Sequence, residues 1–263
     1  MNSLILAVIV FVGVFAGGAV GVGLQRALPE GYTTGGARDM IGAVSGLITL
    51  LLALVLGLLI WTAFGVYSGE KTAIQTLALS GMKYDEALRD YGPEAAEGRR
   101  LLREGLARSV DEIWNDGDDS DFIIKNYTHV MNGLKAREGY LKTLQPTSDA
   151  QIAAKAAAGQ AAIAMGQTRT QLALSLVDPI NYPLLAVVVV WATILFCAYG
   201  LMAKGHPMTY IALAFGAVAI ASAIYVIADL SSPYSGLFQV SPSPITDVLA
   251  AVEAATKPPG GHQ

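Results

Sequence analysis

The chain has 263 residues, 53% of them hydrophobic and 14% charged, with a net charge of −4, whereas an average soluble domain is about one-quarter charged. So apolar a composition excludes an intrinsically disordered chain, and a negative balance with no basic stripe excludes nucleic-acid binding. No Asp, Glu, Lys or Arg occurs in residues 1–25, 40–69, 179–203 or 205–228, while residues 70–178 hold 29 of the 38 charges; this excludes a single soluble globule and leaves a multi-span membrane protein with one polar insertion.

A helix needs about 20 apolar residues to cross a bilayer core, and each charge-free run is longer than that. They predict spans over Leu4–Leu24, Met40–Gly65, Tyr182–Met202 and Met208–Ala228. The first run lacks a basic n-region and is longer than a signal-peptide core, so it reads as a retained helix. It carries Gly13, Gly17 and Gly21 at four-residue intervals, and the second span carries Gly42 and Gly46. Spaced glycines let helices approach closely in lipid, either within one bundle or at a subunit seam. The hydroxyls of Ser45, Thr49, Thr62 and Thr193 can bond their own helix backbone. Ser45 and Thr49 lie one turn apart and are candidates to line a pore. No Asp, Glu, Lys or Arg lies inside a span, which argues against ion-coupled transport through charged relays. Trp61 and Trp191 suit the interfacial belt, and Cys197, the single cysteine, suits a small apolar filler.

Nothing breaks the chain between Gly65 and Tyr91, so the second span is expected to continue as one long helix. Tyr91-Gly92-Pro93-Glu94 ends it, with proline at a helix start. A helix over 94–115 follows, its apolar stripe being Leu102, Leu106, Val110 and Ile113. Residues 115–121 read as a loop. Its Asp116, Asp118, Asp119 and Asp121 fail the EF-hand pattern, which needs Gly at the sixth position and Glu at the twelfth. A solvated capping turn is the plain account, and a weak divalent-cation site the alternative. The next helix, 121–144, places Ile123, Tyr127, Val130, Leu134, Leu141 and Leu144 on a coiled-coil-like seam interrupted by Arg137. Ser148-Asp149-Ala150-Gln151 is a capping box opening a helix to about Asp178. Its small-residue seam is expected at Ala156, Gly159, Ile163, Gly166, Thr170, Ala173 and Val177.

The expected fold class is therefore all-α, with four transmembrane helices and a helical bundle inserted between spans 2 and 3. The divisions are 1–65 for spans 1 and 2, 66–181 for the bundle, 182–230 for spans 3 and 4, and 231–263 for an extended tail. Four spans put both termini and the bundle on one side of the bilayer. Arg26, Arg38 and Lys204 on the loop side against Lys71 and Lys83 on the bundle side leave that side undecided. Asp229 at the exit of the fourth span reads as an interfacial carboxylate, or else as a partner for a basic group of the bundle. For an enzyme the search is nearly empty. His129, His206 and His262 are far apart, and there is no HExxH, GxSxG or P-loop. No metal site, no cofactor and no catalytic residue is expected.

Several stretches, in order, resemble the bestrophin-like membrane proteins, a bacterial family. They are Leu24 to Pro29, the apolar run Gly46–Trp61, Tyr91-Gly92-Pro93-Glu94-Ala95 with Arg99-Arg100-Leu101-Leu102-Arg103 and Ile113-Trp114, and Asp229 to Gly236 with Val240, Ser241 and Pro244 beyond. In the last stretch Ser231 and Ser232 stand where the family has Asp-Arg, and Tyr234 where it has Phe; Pro233 and Gly236 match. The resemblance implies a multi-pass protein of the cell membrane, in bacteria the inner membrane, and a distant likeness to bestrophins, which are oligomeric anion channels whose second span lines the pore. Two functions compete. One is a homo-oligomeric channel-type protein passing small ions. The other is a membrane-anchored scaffold or sensor whose helical domain binds a protein partner.

Overall fold

In the computed structural model, residues 3–28, 35–114, 122–175, 182–203, 207–234 and 236–254 are described, apart from the side chains of 122–127, 129, 175 and 182. The acidic loop at 115–121 and the imidazoles of His129, His206 and His262 lie outside them. Among the described residues eight α-helices follow one another: α1 (Ser3–Ala27), α2 (Gly36–Tyr91), α3 (Ala96–Trp114), α4 (Phe122–Thr143), α5 (Asp149–Ser175), α6 (Tyr182–Met202), α7 (Pro207–Leu230) and α8 (Ser243–Ala254). A single 3-10 turn, Pro93–Ala95, leads into α3. No strand occurs among the described residues. The chain forms two compact units, Met1–Val66 with Ile180–Ser232, and Tyr67–Pro179 with Pro233–Gln263. The division falls inside α2, which is unbroken for 56 residues because no proline or turn signal interrupts it.

Among the described residues four helices, α1, α2, α6 and α7, are long and apolar enough to cross a membrane; α2 continues beyond the first unit. Helix α1 packs against both α6 and α7. Its contact with α6 is made by backbones in near contact. A Cβ on Gly17 would lie 2.6 Å from Thr193 Cγ2, and one on Gly21 would overlap the Cys197 carbonyl. From the other side, a Cβ on Gly200 would overlap the Gly18 carbonyl. Lipid tails are as apolar as the side chains, so close van der Waals fit of this kind holds such helices together. Gly18 also faces Leu213 of α7, with a Cβ there 3.0 Å from both methyl groups. Gly13 and Gly46, by contrast, border open space, and Gly42 has one neighbour, the Met202 methyl at 3.5 Å.

The second unit is a helical bundle around one apolar core. Ile74, Leu77 and Leu88 of α2 meet Leu102, Leu106 and Ile113 of α3, Leu141 of α4, and Ala158 and Met165 of α5. Ser148 caps α5, accepting the Gln151 N–H at 3.2 Å, while the Gln151 side-chain oxygen accepts the Thr147 N–H at 2.8 Å. The buried residues of α5 are Ala154, Ala158, Ala161, Ala162, Met165, Gly166, Thr168, Arg169, Leu172 and Ala173; of the expected seam, Gly166 and Ala173 are among them, whereas Ala156 is exposed and Ile163 is 50% exposed. Alanine and glycine occupy every face of this helix, so apolarity alone does not choose between them. Within the stretch expected to be an extended tail, Ser243–Ala254 is helical. This helix, α8, buries Ile245, Val248 and Val252 in the same core, at i, i+3 and i+7, the spacing of one helical face.

Overpacking a tight contact costs about 1–3 kcal/mol. Gly21→Ala is therefore expected to lower the thermal stability of the detergent-solubilised protein clearly, and Gly13→Ala to leave it close to wild type. Paired melting curves of the two variants check this contrast.

Candidate functional site

Within the first unit, α2 has the least covered apolar stretch: 11% of it is buried, against 28–33% for the other three. Its exposed row includes Leu47, Leu50, Leu54, Leu58 and Trp61. Of the two pore candidates, Ser45 is 3% exposed and turned into the unit. Thr49 donates to the Ser45 carbonyl at 2.8 Å and lies 2.9 Å from the Tyr199 hydroxyl of α6, forming a hydroxyl pair at the unit's surface. Arg38 at the start of α2 donates to the Met202 carbonyl at 3.4 Å. Thr62 and Thr193 bond their own helix backbones, as their positions in the sequence predict.

The Tyr91-Gly92-Pro93-Glu94 stretch is a corner of the second unit. Gly92 adopts φ +120°, open to glycine and strained for other residues. Proline then presets the following turn. Tyr91 is buried, and its carbonyl accepts a hydrogen bond from Gln151 Nε2 at 3.1 Å. The Glu94 carbonyl accepts one from the Tyr140 hydroxyl at 3.1 Å. The corner thus ties α2 to α4 and α5. Beside it, Asp85 is 3% exposed and paired with Arg89 at 2.6 Å and Arg99 at 2.7 Å.

The stretch after α7 is equally anchored. Asp229, at the end of α7, is 1% exposed. Beyond it, the Tyr234 hydroxyl donates to Glu70 Oε2 of α2 at 2.5 Å. The Tyr234 ring meets the edge of Trp114 of α3 at 5.6 Å, and the Trp114 indole donates to the Val240 carbonyl at 2.8 Å. Val240 in turn donates to the Pro233 carbonyl at 2.8 Å, closing a loop in which Gly236 takes φ +96°. Burial, and then the Glu70 carboxylate, push the Tyr234 phenol above its usual range. Farther along, Arg169 pairs with Glu112 at 2.7 Å, both largely buried. Sequence reasoning singled out Tyr234, Pro233 and Gly236 but missed Glu70, Asp85, Glu112 and Arg169. Their one signal is position: Arg169 sits three residues beyond Gly166, within the run expected to be a helix–helix seam.

No group of three or more His, Cys, Asp or Glu side chains able to hold a metal occurs among the described residues. A family model for the bestrophin-like domain matches residues 12–245. The chain belongs to the bestrophin-like family. The bestrophin-like fold is also found in solved structures. A variant of a bacterial bestrophin homologue from Klebsiella pneumoniae has a TM-score of 0.70 at 11% identity, covering 95% of this chain and 98% of that one. A second variant of that homologue has a TM-score of 0.66 at 11% identity, covering 94% and 97%. At this identity the likeness is one of fold. No curated protein matches the chain.

Two outcomes follow for this bestrophin-like chain. Tyr234→Phe leaves a buried carboxylate without its donor and is expected to cost about 1–3 kcal/mol, read from thermal or denaturant unfolding. Gly92→Ala forces a Cβ into a left-handed position, 2.8 Å from Glu94 Oε2. It is expected to destabilise by at least about 1 kcal/mol in the same assay.

Proposed function

We propose that this protein is a homo-oligomeric, channel-type protein of the cell membrane that passes small ions, with the second span of each copy facing the conduit. The observation that carries the proposal is the bare apolar row of α2. A membrane-spanning helix so little covered by its own chain is covered by lipid or by another copy. The family to which the chain belongs, named for its likeness to bestrophins, favours another copy. In such an assembly the Thr49–Tyr199 hydroxyl pair is the polar step available to a conduit, and Ser45 seats α2 by its small size. The spans hold no charged residue until Asp229, so conduction on this account rests on hydroxyls, backbone and pore width and not on a proton relay.

The purified protein in liposomes is expected to pass ions well above empty vesicles, and to run as a single oligomer by native mass spectrometry. With Cys197 replaced by Ala, a cysteine at Leu54 is expected to form disulfides between copies under mild oxidation. A monomer without flux overturns the proposal.

A further inference from the structure

Arg137 interrupts the apolar seam of α4, and the second unit turns it inward. Helices α3, α4 and α5 enclose a cavity of about 40 Å³. Three guanidinium groups line it, those of Arg108, Arg137 and Arg169, with one carboxylate, Glu112. That carboxylate is already engaged, lying 2.7 Å from Arg169 Nη2. Arg137 donates through Nε to the Gly133 carbonyl of its own helix at 3.3 Å and makes no ion pair among the described residues. Glycines on two helices make room for its head group. A Cβ on Gly133 would lie 3.2 Å from Arg137 Nη2, and one on Gly105 would lie 3.7 Å away.

The charge balance of this place is lopsided. Burial holds the Arg137 guanidinium below its usual range, and the like charge of Arg169 adds to this. The acidic group that acts on it most is the Tyr84 phenol, which burial pushes up to about 12 and so keeps neutral at ordinary pH. A guanidinium does not shed its proton near neutrality. Arg137 is half-buried; a cation partly withdrawn from water without a counter-charge is destabilised, and an anion that reaches it recovers part of that loss. The space sets the size of that anion. One water needs about 10–15 Å³, so about 40 Å³ has room for one small inorganic anion with a water or two beside it. A nucleotide or a lipid headgroup is too large.

We propose that the cavity between α3, α4 and α5 binds one small inorganic anion of halide size, held by Arg137 and Arg169, with Arg108 at its outer edge. The anion supplies the missing counter-charge and joins three helices of the bundle through one site. The site lies wholly within the second unit and is independent of ion conduction, so either proposal can fail without the other.

Crystals of the full-length protein in sodium bromide test it directly. An anomalous peak beside the Arg137 head group is expected, and chloride in excess should abolish it. Saturating bromide with no peak there, or peaks on the outer surface alone, overturns the proposal. In detergent, replacing gluconate by chloride at constant ionic strength is expected to raise the melting temperature saturably by several degrees. Arg137→Gln is expected to melt no lower than wild type in gluconate, because it removes the uncompensated charge, and to lose the chloride-dependent rise. A variant that keeps the full rise overturns the assignment to Arg137. If the variant fails to fold, the bromide measurement on the wild type decides.

Discussion

Hydrocarbon offers a peptide group no partner, so every N–H and C=O that crosses it is bonded within its own element. Four uncharged runs in this chain meet that demand as α-helices. Once the backbone is satisfied, water no longer drives these helices together, and their association rests on how closely the surfaces fit. That is why glycine at 17, 18, 21 and 200 matters more to the first unit than any leucine. The chain brings α1 and α6 near enough for a single added methyl group to strike a carbonyl of the other helix.

The second unit answers a different solvent. Its core is an ordinary apolar one of leucine, isoleucine and alanine, assembled by burial from water. Charged groups nevertheless enter it, and each is met by a specific partner: Asp85 by Arg89 and Arg99, Glu70 by Tyr234, Glu112 by Arg169. Such pairs add little net stability over apolar residues of equal size, but breaking one leaves a stranded charge. They join places far apart in sequence. Glu70 and Tyr234 bind the segment after α7 to the long helix, and Trp114 closes the same corner through Val240. Arg137 departs from this rule, having a guanidinium in the seam with no carboxylate paired to it among the described residues.

Much of the fold was legible without coordinates. The four spans emerge from the positions of charge alone, and the unbroken α2 from the absence of any breaker before Gly92. The apolar stripe of α3 was readable because Leu102, Leu106 and Ile113 stand against a charged background. On α5 the same method found only part of the buried face, Gly166 and Ala173 but not Ala156 or Ile163, since small residues on all sides leave periodicity little to detect. Helix α8 was legible in principle, through Ile245, Val248 and Val252, but is short and follows a proline-rich stretch. The pore candidates were legible as hydroxyls one turn apart; which way each points was not, because a helix's rotation is set by its neighbours.

The sequence by itself determined the class of the protein: an all-α chain with four membrane-length helices and a polar bundle between the second and third. Charge patterning suffices for this because the bilayer penalises each charged residue locally, wherever the chain goes next. Tertiary structure alone decided which glycines touch a neighbour, that Asp229 is buried, that Tyr234 binds Glu70, and that Arg137 faces a cavity. Each of these depends on residues brought together from distant parts of the chain. No spacing along one helix encodes what the helix across from it presents.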